Sequence, residues 1–301
     1  MFFKICSAIV PLFLSASVAS AQVSLELKYS EGTKFAQQTD EKSSFLFDFA
    51  GMKYESNTNT FSVTTTTVDR RVTNGSLKLV EKVDPLQSET VIPGGVTQRF
   101  DSTNADKKAD IPDLEPLLNS LRIRCLAVTV ELDSKNNVTG VSLPNGEFEK
   151  LPDSAKEEFK AELLRKSVDR LRAYLPDEPV KMGDTWERSE AIVDSGHEMT
   201  FRTKYEYAGT VTQDGKVLDK IIGKALDVNY TIQAKPEVSI TVENTKVTES
   251  ESTYLFDREL GALVSRTSKV RIGGPMTIVT GGMTLVGIFE ITMEEKAIRQ
   301  K

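Results

Sequence analysis

The chain of 301 residues carries 38 Lys and Arg against 44 Asp and Glu, a formal net charge of −6, and 39% of its residues are hydrophobic. An acidic chain without a basic stripe lacks the phosphate-neutralising charge that nucleic-acid binding needs. It also lacks the polybasic segment that holds proteins on anionic lipid. The balance of charged and hydrophobic residues is that of a globular protein and excludes disorder along the whole chain.

The first 21 residues have the layout of a cleavable secretory signal, with Lys4, an apolar run and a small-residue triplet that ends at Ala21. The apolar run is too short for a membrane-spanning helix. We therefore expect an exported protein, periplasmic or extracellular, without a stable membrane span. Cleavage would remove Cys6 and leave Cys125 as the one remaining cysteine. An internal disulfide is then impossible, and core packing must hold the fold.

Strands are predicted through most of the chain, because Thr, Val, Ile and Phe alternate with polar residues. In the segment Ser44–Tyr54, three phenylalanines share one face of a strand. The threonine-rich run Phe61–Val72 follows, and the dipeptide Asn74-Gly75 predicts a hairpin to the next strand. A further strand is predicted within Arg124–Leu132.

Helices are few. The segment Pro112–Leu121 predicts a short helix, and the range 151–176 predicts a long amphipathic one. In the second, Ser154 and Glu157 form a capping box, apolar residues recur at helical spacing, and Pro176 ends the helix. Such an apolar stripe usually covers a sheet.

From Met199 to Met293 the pattern returns to strands, broken by glycine-containing turns such as Gly281-Gly282. At least ten strands in total predict a mainly β fold with one long covering helix, of the α+β class. We expect an antiparallel curved sheet or half-barrel, with two similar lobes as a further possibility. The corresponding divisions are a signal peptide (1–21), an N-terminal β lobe (22–150), a connecting amphipathic helix (151–176) and a C-terminal β lobe (177–301).

Two short phrases recur in the two halves. A glycine followed three residues later by an aromatic residue occurs at Gly32 and Phe35, and again at Gly183 and Trp186. A turn led by aspartate occurs in VELDSKNNVTGV and again in YLFDRELGALVS, where Asp caps the turn and Asn or Gly accepts a left-handed backbone. The repetition favours duplicated lobes with Phe35 and Trp186 packed in the core, but short motifs also recur by chance.

The same phrases carry a resemblance to a known family. EGTKF near the predicted mature start, LPDEPVKMGDTW after the long helix and the closing FDRELGALVS hairpin resemble a family of exported bacterial proteins known only as a domain of unknown function. The resemblance implies a secreted β-rich protein without an assigned reaction. A curved sheet covered by a helix is also similar, in architecture alone, to periplasmic carriers of lipoproteins and lipids, and fold alone does not establish function.

Groups suited to catalysis or metal binding are scarce. His197 is the single histidine, and Asp194 and Ser195 beside it are adjacent in sequence, whereas a triad needs groups that converge from different elements. Cys125 would need a nearby base, and the usual role of a free cysteine is that of a small buried hydrophobe. We predict a non-enzymatic protein without a cofactor or bound metal.

Two apolar segments remain as candidates for function, Ser44–Tyr54 and the uncharged run Ile272–Phe289. They either pack as core strands, line a cavity for an apolar ligand, or protrude toward a membrane or protein partner. We favour a lipid or lipidated chain held in a curved-sheet cavity. The alternative is a cell-envelope interaction or scaffold protein with a fully packed sheet. The predicted ligand-binding residues are Phe45, Phe47, Phe49, Met52, Met276, Met283 and Phe289.

Overall fold

The structure, a computed structural model, describes residues 22–69, 71, 75–134, 136–143, 166, 169–170, 172–194, 197–232 and 238–300. The predicted signal peptide, Asn74 of the predicted hairpin turn and most of the predicted helix at 151–176 lie outside these residues. Lys166, Asp169 and Arg170, from the end of that predicted helix, have helical backbone.

The described fold consists mainly of strands. In chain order its elements are β1 (Lys34–Phe49), β2 (Met52–Val68), β3 (Leu77–Ile92), β4 (Val96–Asp101), α1 (Glu115–Arg124), β5 (Val128–Leu132), β6 (Val138–Ser142), β7 (Thr185–Asp194), β8 (His197–Gln213), β9 (Lys216–Ile232), β10 (Val238–Val242), β11 (Lys246–Asp257), β12 (Ala262–Thr280) and β13 (Met283–Arg299). Helix α1 begins three residues later than the predicted short helix, because Pro112–Leu114 forms a 3-10 turn before it.

One antiparallel sheet contains all thirteen strands. Its order is β6-β5-β3-β2-β1-β13-β12-β11-β9-β8-β7, with β4 beside β3 and β10 beside β12. Strands β1 and β13 are therefore neighbours in the middle of the sheet. The strands β2–β6 lie on the side of β1, and the strands β7–β12 lie on the side of β13. The predicted mainly β fold with a large antiparallel sheet is confirmed.

Strand β8 illustrates why these residues form a sheet. Phe201, Tyr205 and Tyr207 are buried, whereas Arg202 and Lys204 between them are exposed. This alternation matches the two-residue period of a strand whose one face is covered by protein and whose other face meets solvent.

The sheet is curved. Phe47 of β1 packs in one cluster with Phe201 of β8 and Tyr230 of β9, although β8 is five places from β1 in the strand order. Such distant strands meet only if the sheet bends over its own face. Register shifts in the β2–β3, β8–β9 and β11–β12 pairs supply the bulges that increase bending and twist. The predicted curvature is confirmed.

Two segments outside the named strands and helix cross the inner side of this curve. They are residues 22–33, which precede β1, and residues 172–184, which precede β7. Val23 and Val180 form an isolated antiparallel bridge between them. Leu25 from the first segment and Tyr174 from the second are buried, and the ring of Tyr174 stacks on that of Tyr254 with centroids 4.8 Å apart. These segments close part of the concavity.

The first pair of repeated phrases shares its hydrogen bonding. The N–H of Gly32 donates to the carbonyl of Val68 (2.9 Å), and the N–H of Val68 donates to the carbonyl of Thr33 (2.8 Å). The second phrase makes the equivalent two bonds: the N–H of Gly183 donates to the carbonyl of Tyr207 (2.8 Å), and the N–H of Tyr207 donates to the carbonyl of Asp184 (3.0 Å). Trp186 then stacks on Tyr205, with ring centroids 5.8 Å apart.

The aspartate turns are similar in chemistry but differ in register. Asp133 and Asp257 each accept a backbone N–H with a side-chain oxygen. The left-handed residue is Asn136 in the first turn, three places after the aspartate, and Gly261 in the second, four places after it. The two-lobe organisation therefore stays a prediction. The glycine phrases support it, because they make equivalent hydrogen bonds, and the aspartate turns support it less closely, because their left-handed residues differ in position.

Candidate ligand-binding site

We call the side of the sheet that carries Phe47 the inner face. Alternate residues of a strand point to the same face, so β1 presents Gln37, Thr39 and Glu41 to it before it presents Phe45 and Phe47. The register places Glu295 and Arg299 of β13 opposite the polar residues, and Ile291 and Phe289 opposite the phenylalanines. The inner face thus has a polar half and an apolar half along the same strands.

The apolar half brings five of the seven predicted ligand-binding residues together. Phe47, Met276 and Phe289 are buried in one cluster, and Phe45 and Phe49 are partly buried against it. The rings of Phe47 and Phe49 are nearly parallel, with centroids 6.4 Å apart. Burial of these side chains stabilises the curve of the sheet, at about 1.5–3 kcal/mol for each fully buried one.

The other two predicted residues lie at strand ends. Met52 is 50% exposed at the start of β2, and Met283 is 62% exposed at the start of β13. Met283 follows the Gly281-Gly282 turn that sequence analysis placed there, and both of those glycines have left-handed backbones. Their exposure places the two methionines at the rim of the apolar half.

The polar half encloses a cavity of about 260 Å³. Thr39, Ser62 and Thr66 contribute side chains from β1 and β2, while Tyr29 and Tyr174 come from the two crossing segments. Six of the side chains that line the cavity carry a hydroxyl group. Most of the residues that line this cavity are polar or charged, whereas the sequence predicted a cavity lined by Phe and Met.

The charge in this cavity is unbalanced. Six cationic side chains and three carboxylates line it, which leaves an excess of three positive charges when all are ionised. The carboxylates are Glu41, Glu81 and Glu295. The cations are Lys28, Arg124, Arg170, Arg172, Arg266 and Arg299.

Other depressions on the protein lack this imbalance. One of about 540 Å³ along β1–β4 is lined by four carboxylates and three cationic side chains. Another, of about 630 Å³, lies beside β7 and β8 and is lined by four of each. Of these three depressions, the one on the inner face alone has an excess of positive charge, in a chain whose net charge is −6.

Arg266 and Glu295 form the buried ion pair of the cavity. The guanidinium of Arg266 donates to the carboxylate of Glu295, and both side chains are about nine-tenths buried. Arg170 approaches the same carboxylate at 3.7 Å. Burial lowers the pKa of Arg266, but the Glu295 carboxylate together with Tyr254 and Glu41 raises the pKa above its usual value. The Arg266 Nε atom is buried without a hydrogen-bond partner.

Arg172 lies on the opposite wall. It donates to the carbonyl of Asn136 at 2.6 Å and to the hydroxyl of Tyr29 at 3.1 Å. Burial raises the pKa of the Glu81 carboxyl, against the opposing charge of Arg172. Burial likewise raises the pKa of Tyr29. Within the part of the chain that the structure describes, no carboxylate lies within ion-pair distance of Arg172.

The residues considered for catalysis lie elsewhere. His197 Nδ1 is 2.7 Å from the hydroxyl of Tyr230, and Ser195 lies outside the described residues. Cys125 donates its thiol to the carbonyl of Leu121 at 3.4 Å, and burial raises the pKa of the thiol, which disfavours the reactive thiolate. Among the described residues no group of three or more His, Cys, Asp or Glu could hold a metal ion. No helix of the described chain is long and apolar enough to cross a membrane.

Comparison with known proteins places the chain beside an uncharacterised family. Residues 133–257 match DUF6263, a family of unknown function. The predicted resemblance to a family without an assigned reaction is confirmed over these residues. No curated protein matches the chain.

Several solved structures resemble the fold at low similarity. An exported protein with a YmcC-like fold from Bacteroides fragilis is 8% identical, with 90% of this chain and 98% of that chain covered and a TM-score of 0.22. A DUF1329 family protein from Desulfovibrio piger is 7% identical, with 88% and 84% covered and a TM-score of 0.15. The COG4313 outer membrane channel from Pseudomonas putida F1 is 9% identical, with 92% and 98% covered and a TM-score of 0.23. At these TM-scores the likenesses carry no argument about function.

Proposed function

We propose that this is an exported, non-enzymatic binding protein that holds an apolar ligand, a lipid or a lipidated chain, inside its curved sheet. The observation that supports this proposal is the continuity of the inner face. The cavity at Gln37 and Thr39 adjoins, along the same strand, the apolar half at Phe45 and Phe47. A ligand that enters the cavity would therefore find apolar side chains within one strand length.

The absence of enzymatic activity is part of the same proposal. The hydroxyl of Tyr230 holds the Nδ1 atom of His197, and the pKa of Cys125 is raised. Neither observation supports a nucleophile activated by a base.

Native mass spectrometry of the purified protein, before and after extraction of bound lipid, tests the proposal. A co-purifying apolar mass, or stoichiometric uptake of an added fatty acid or phospholipid, is the expected result. Gln37→Trp fills the cavity, and Gln38→Trp places the same ring on the opposite face of β1. Uptake should fall with the first variant and persist with the second. A protein that takes up none of the added lipids would overturn the proposal.

The alternative is an interaction protein of the cell envelope. One observation favours it: Val279, Val286 and Ile288, which share the face of β12 and β13 opposite Phe289, are 41–63% exposed. Exposed apolar side chains grouped at one end of a sheet are typical of a docking surface. This function would be favoured if the purified protein carries no ligand and captures a protein partner from envelope extracts, and if the Val286→Ser and Ile288→Ser variants no longer capture that partner.

A further inference from the structure

We infer that the cavity in the polar half is a binding site for an oxyanion, a carboxylate or a phosphate, carried at the end of an apolar chain. This inference deepens the proposed function and rests on it for the apolar part of the ligand. The site consists of the Arg172, Arg266 and Arg299 side chains together with the hydroxyl groups of β1 and β2.

Positive charge is in excess within the cavity. Of the six cations, Lys28 and Arg124 are exposed, and Arg124 pairs with Glu41. The other four cations, which are buried or partly buried, face two carboxylates. This excess of two positive charges is costly, because burial removes cations from water. Glu81 offsets this charge poorly, since burial favours its neutral form. An anion in the cavity would supply the missing counter-charge.

Arg266 also carries a hydrogen-bond donor that has no acceptor. The Arg266 Nε–H is buried without a partner, as are Trp186 Nε1 and Arg271 Nε away from the cavity, although buried polar groups in proteins are almost always hydrogen-bonded. Glu295 already occupies the other end of this guanidinium. An oxyanion is the acceptor that a guanidinium binds best, with short charge-assisted bonds.

Hydroxyl-bearing side chains of β1 and β2 line the floor of the cavity. Ser62 and Thr66 of β2 and Thr39 of β1 are buried polar side chains that face the cavity. Their hydroxyl groups can each donate one hydrogen bond to an oxyanion and accept one from an arginine. Arg299 adds a cation at the far end of the same face, stacked 4.3 Å from the centre of the Phe35 ring.

The size of the cavity limits the ligand. About 260 Å³ lies below the usual range for pockets that enclose a whole drug-sized molecule. It suits the head of a ligand, and the apolar half begins at Phe45, two inner-face positions beyond Glu41 on β1. Phe47, Met276 and Phe289 are packed and buried there, so the chain of the ligand would have to part these side chains to reach the rim formed by Met52 and Met283.

Isothermal titration calorimetry of the full protein with four probes tests the inference. The probes are dodecanoate, dodecyl phosphate, dodecanol and inorganic phosphate. We expect both charged amphiphiles to bind at least about tenfold more tightly than dodecanol, because hydrogen bonds to charged groups are the stronger ones. Arg172→Gln and Arg299→Gln should each weaken the charged amphiphiles about tenfold and leave dodecanol unchanged. Arg202→Gln, exposed on the other face of β8, serves as the matched control.

The outcomes separate the inference from the proposed function. Equal binding of all three amphiphiles, unaffected by either cavity variant, would overturn the oxyanion site and leave the apolar-ligand proposal intact. Arg172-dependent binding of inorganic phosphate without uptake of any amphiphile would support the site and overturn the proposed function. No binding of any probe would overturn both. If Arg172→Gln does not fold, as judged by its thermal unfolding, Arg299→Gln decides the test.

Discussion

Replacement of Glu295 by Gln should destabilise the protein through the charge it leaves behind. The carboxylate is 11% exposed, its partner Arg266 is 10% exposed, and Arg170 lies 3.7 Å from the same carboxylate. Removing one partner of a buried ion pair costs about 3–5 kcal/mol. Gln keeps one acceptor for Arg266, and the adjoining cavity can admit water, so we expect the lower end, about 3 kcal/mol.

Urea unfolding, followed by the fluorescence of the single tryptophan, Trp186, measures this loss. The midpoint should shift while the m-value stays constant, because the surface exposed on unfolding is unchanged. Glu294→Gln, at the preceding residue of β13, is the control. The Glu294 carboxylate is 46% exposed and lies 3.6 Å from Lys269, so its loss should cost less than about 1 kcal/mol.

A double replacement tests the stated cause. Arg266→Met with Glu295→Leu removes both charges and should recover most of the lost stability, because a buried ion pair replaced by apolar side chains is often neutral or stabilising. If Glu295→Gln lowers the free energy of unfolding no more than Glu294→Gln does, the Arg266–Glu295 pair is solvated in solution, which would contradict its burial.

Two further predictions concern the walls of the cavity. Gly261→Ala should cost at least about 2 kcal/mol in urea unfolding, because the residue has a left-handed backbone and its Cβ would lie 2.6 Å from the Lys28 backbone nitrogen. Gly282→Ala is the control, since Gly282 is left-handed but open to solvent, and it should cost about 1 kcal/mol. Equal costs would show that the Lys28 contact is unimportant. Glu81→Gln should make the protein more stable at pH 7. The pKa of Glu81 is raised in the folded state by burial, against the charge of Arg172, so wild-type stability falls as pH rises from the unfolded value of 4.5 through the folded pKa. Unfolding of Glu81→Gln across this range should lack that decline, and an identical pH profile for both proteins would contradict the burial of the carboxyl.

The strands were predictable because their information is local. The alternation in Phe61–Val68 and the β8 pattern of apolar and charged residues require only a period of two. The paired glycine phrases at Gly32 and Gly183 also marked two turns that make the same hydrogen bonds. Such features depend on neighbours within a few residues.

The polar cavity was missed for a physical reason. An isolated Arg in a strand, such as Arg266 or Arg299, usually faces solvent, and only the strand order shows that these two face the inside. The pairing of Glu295 with Arg266 depends on the register between β12 and β13, which no local pattern encodes. A usable signal was present in Gln37 and Thr39, since both share the two-residue period of Phe45 and therefore had to share its face.

The pairing of β1 with β13 joins the first strand of the sheet to the last one synthesised. Until β13 has been made, β1 presents an unpaired edge, and such edges invite association with other chains. Contacts between residues so distant in sequence also make folding slow. A chain that stops before Met283 would keep that edge open permanently, so loss of the last strand should produce aggregates in place of a smaller, soluble sheet.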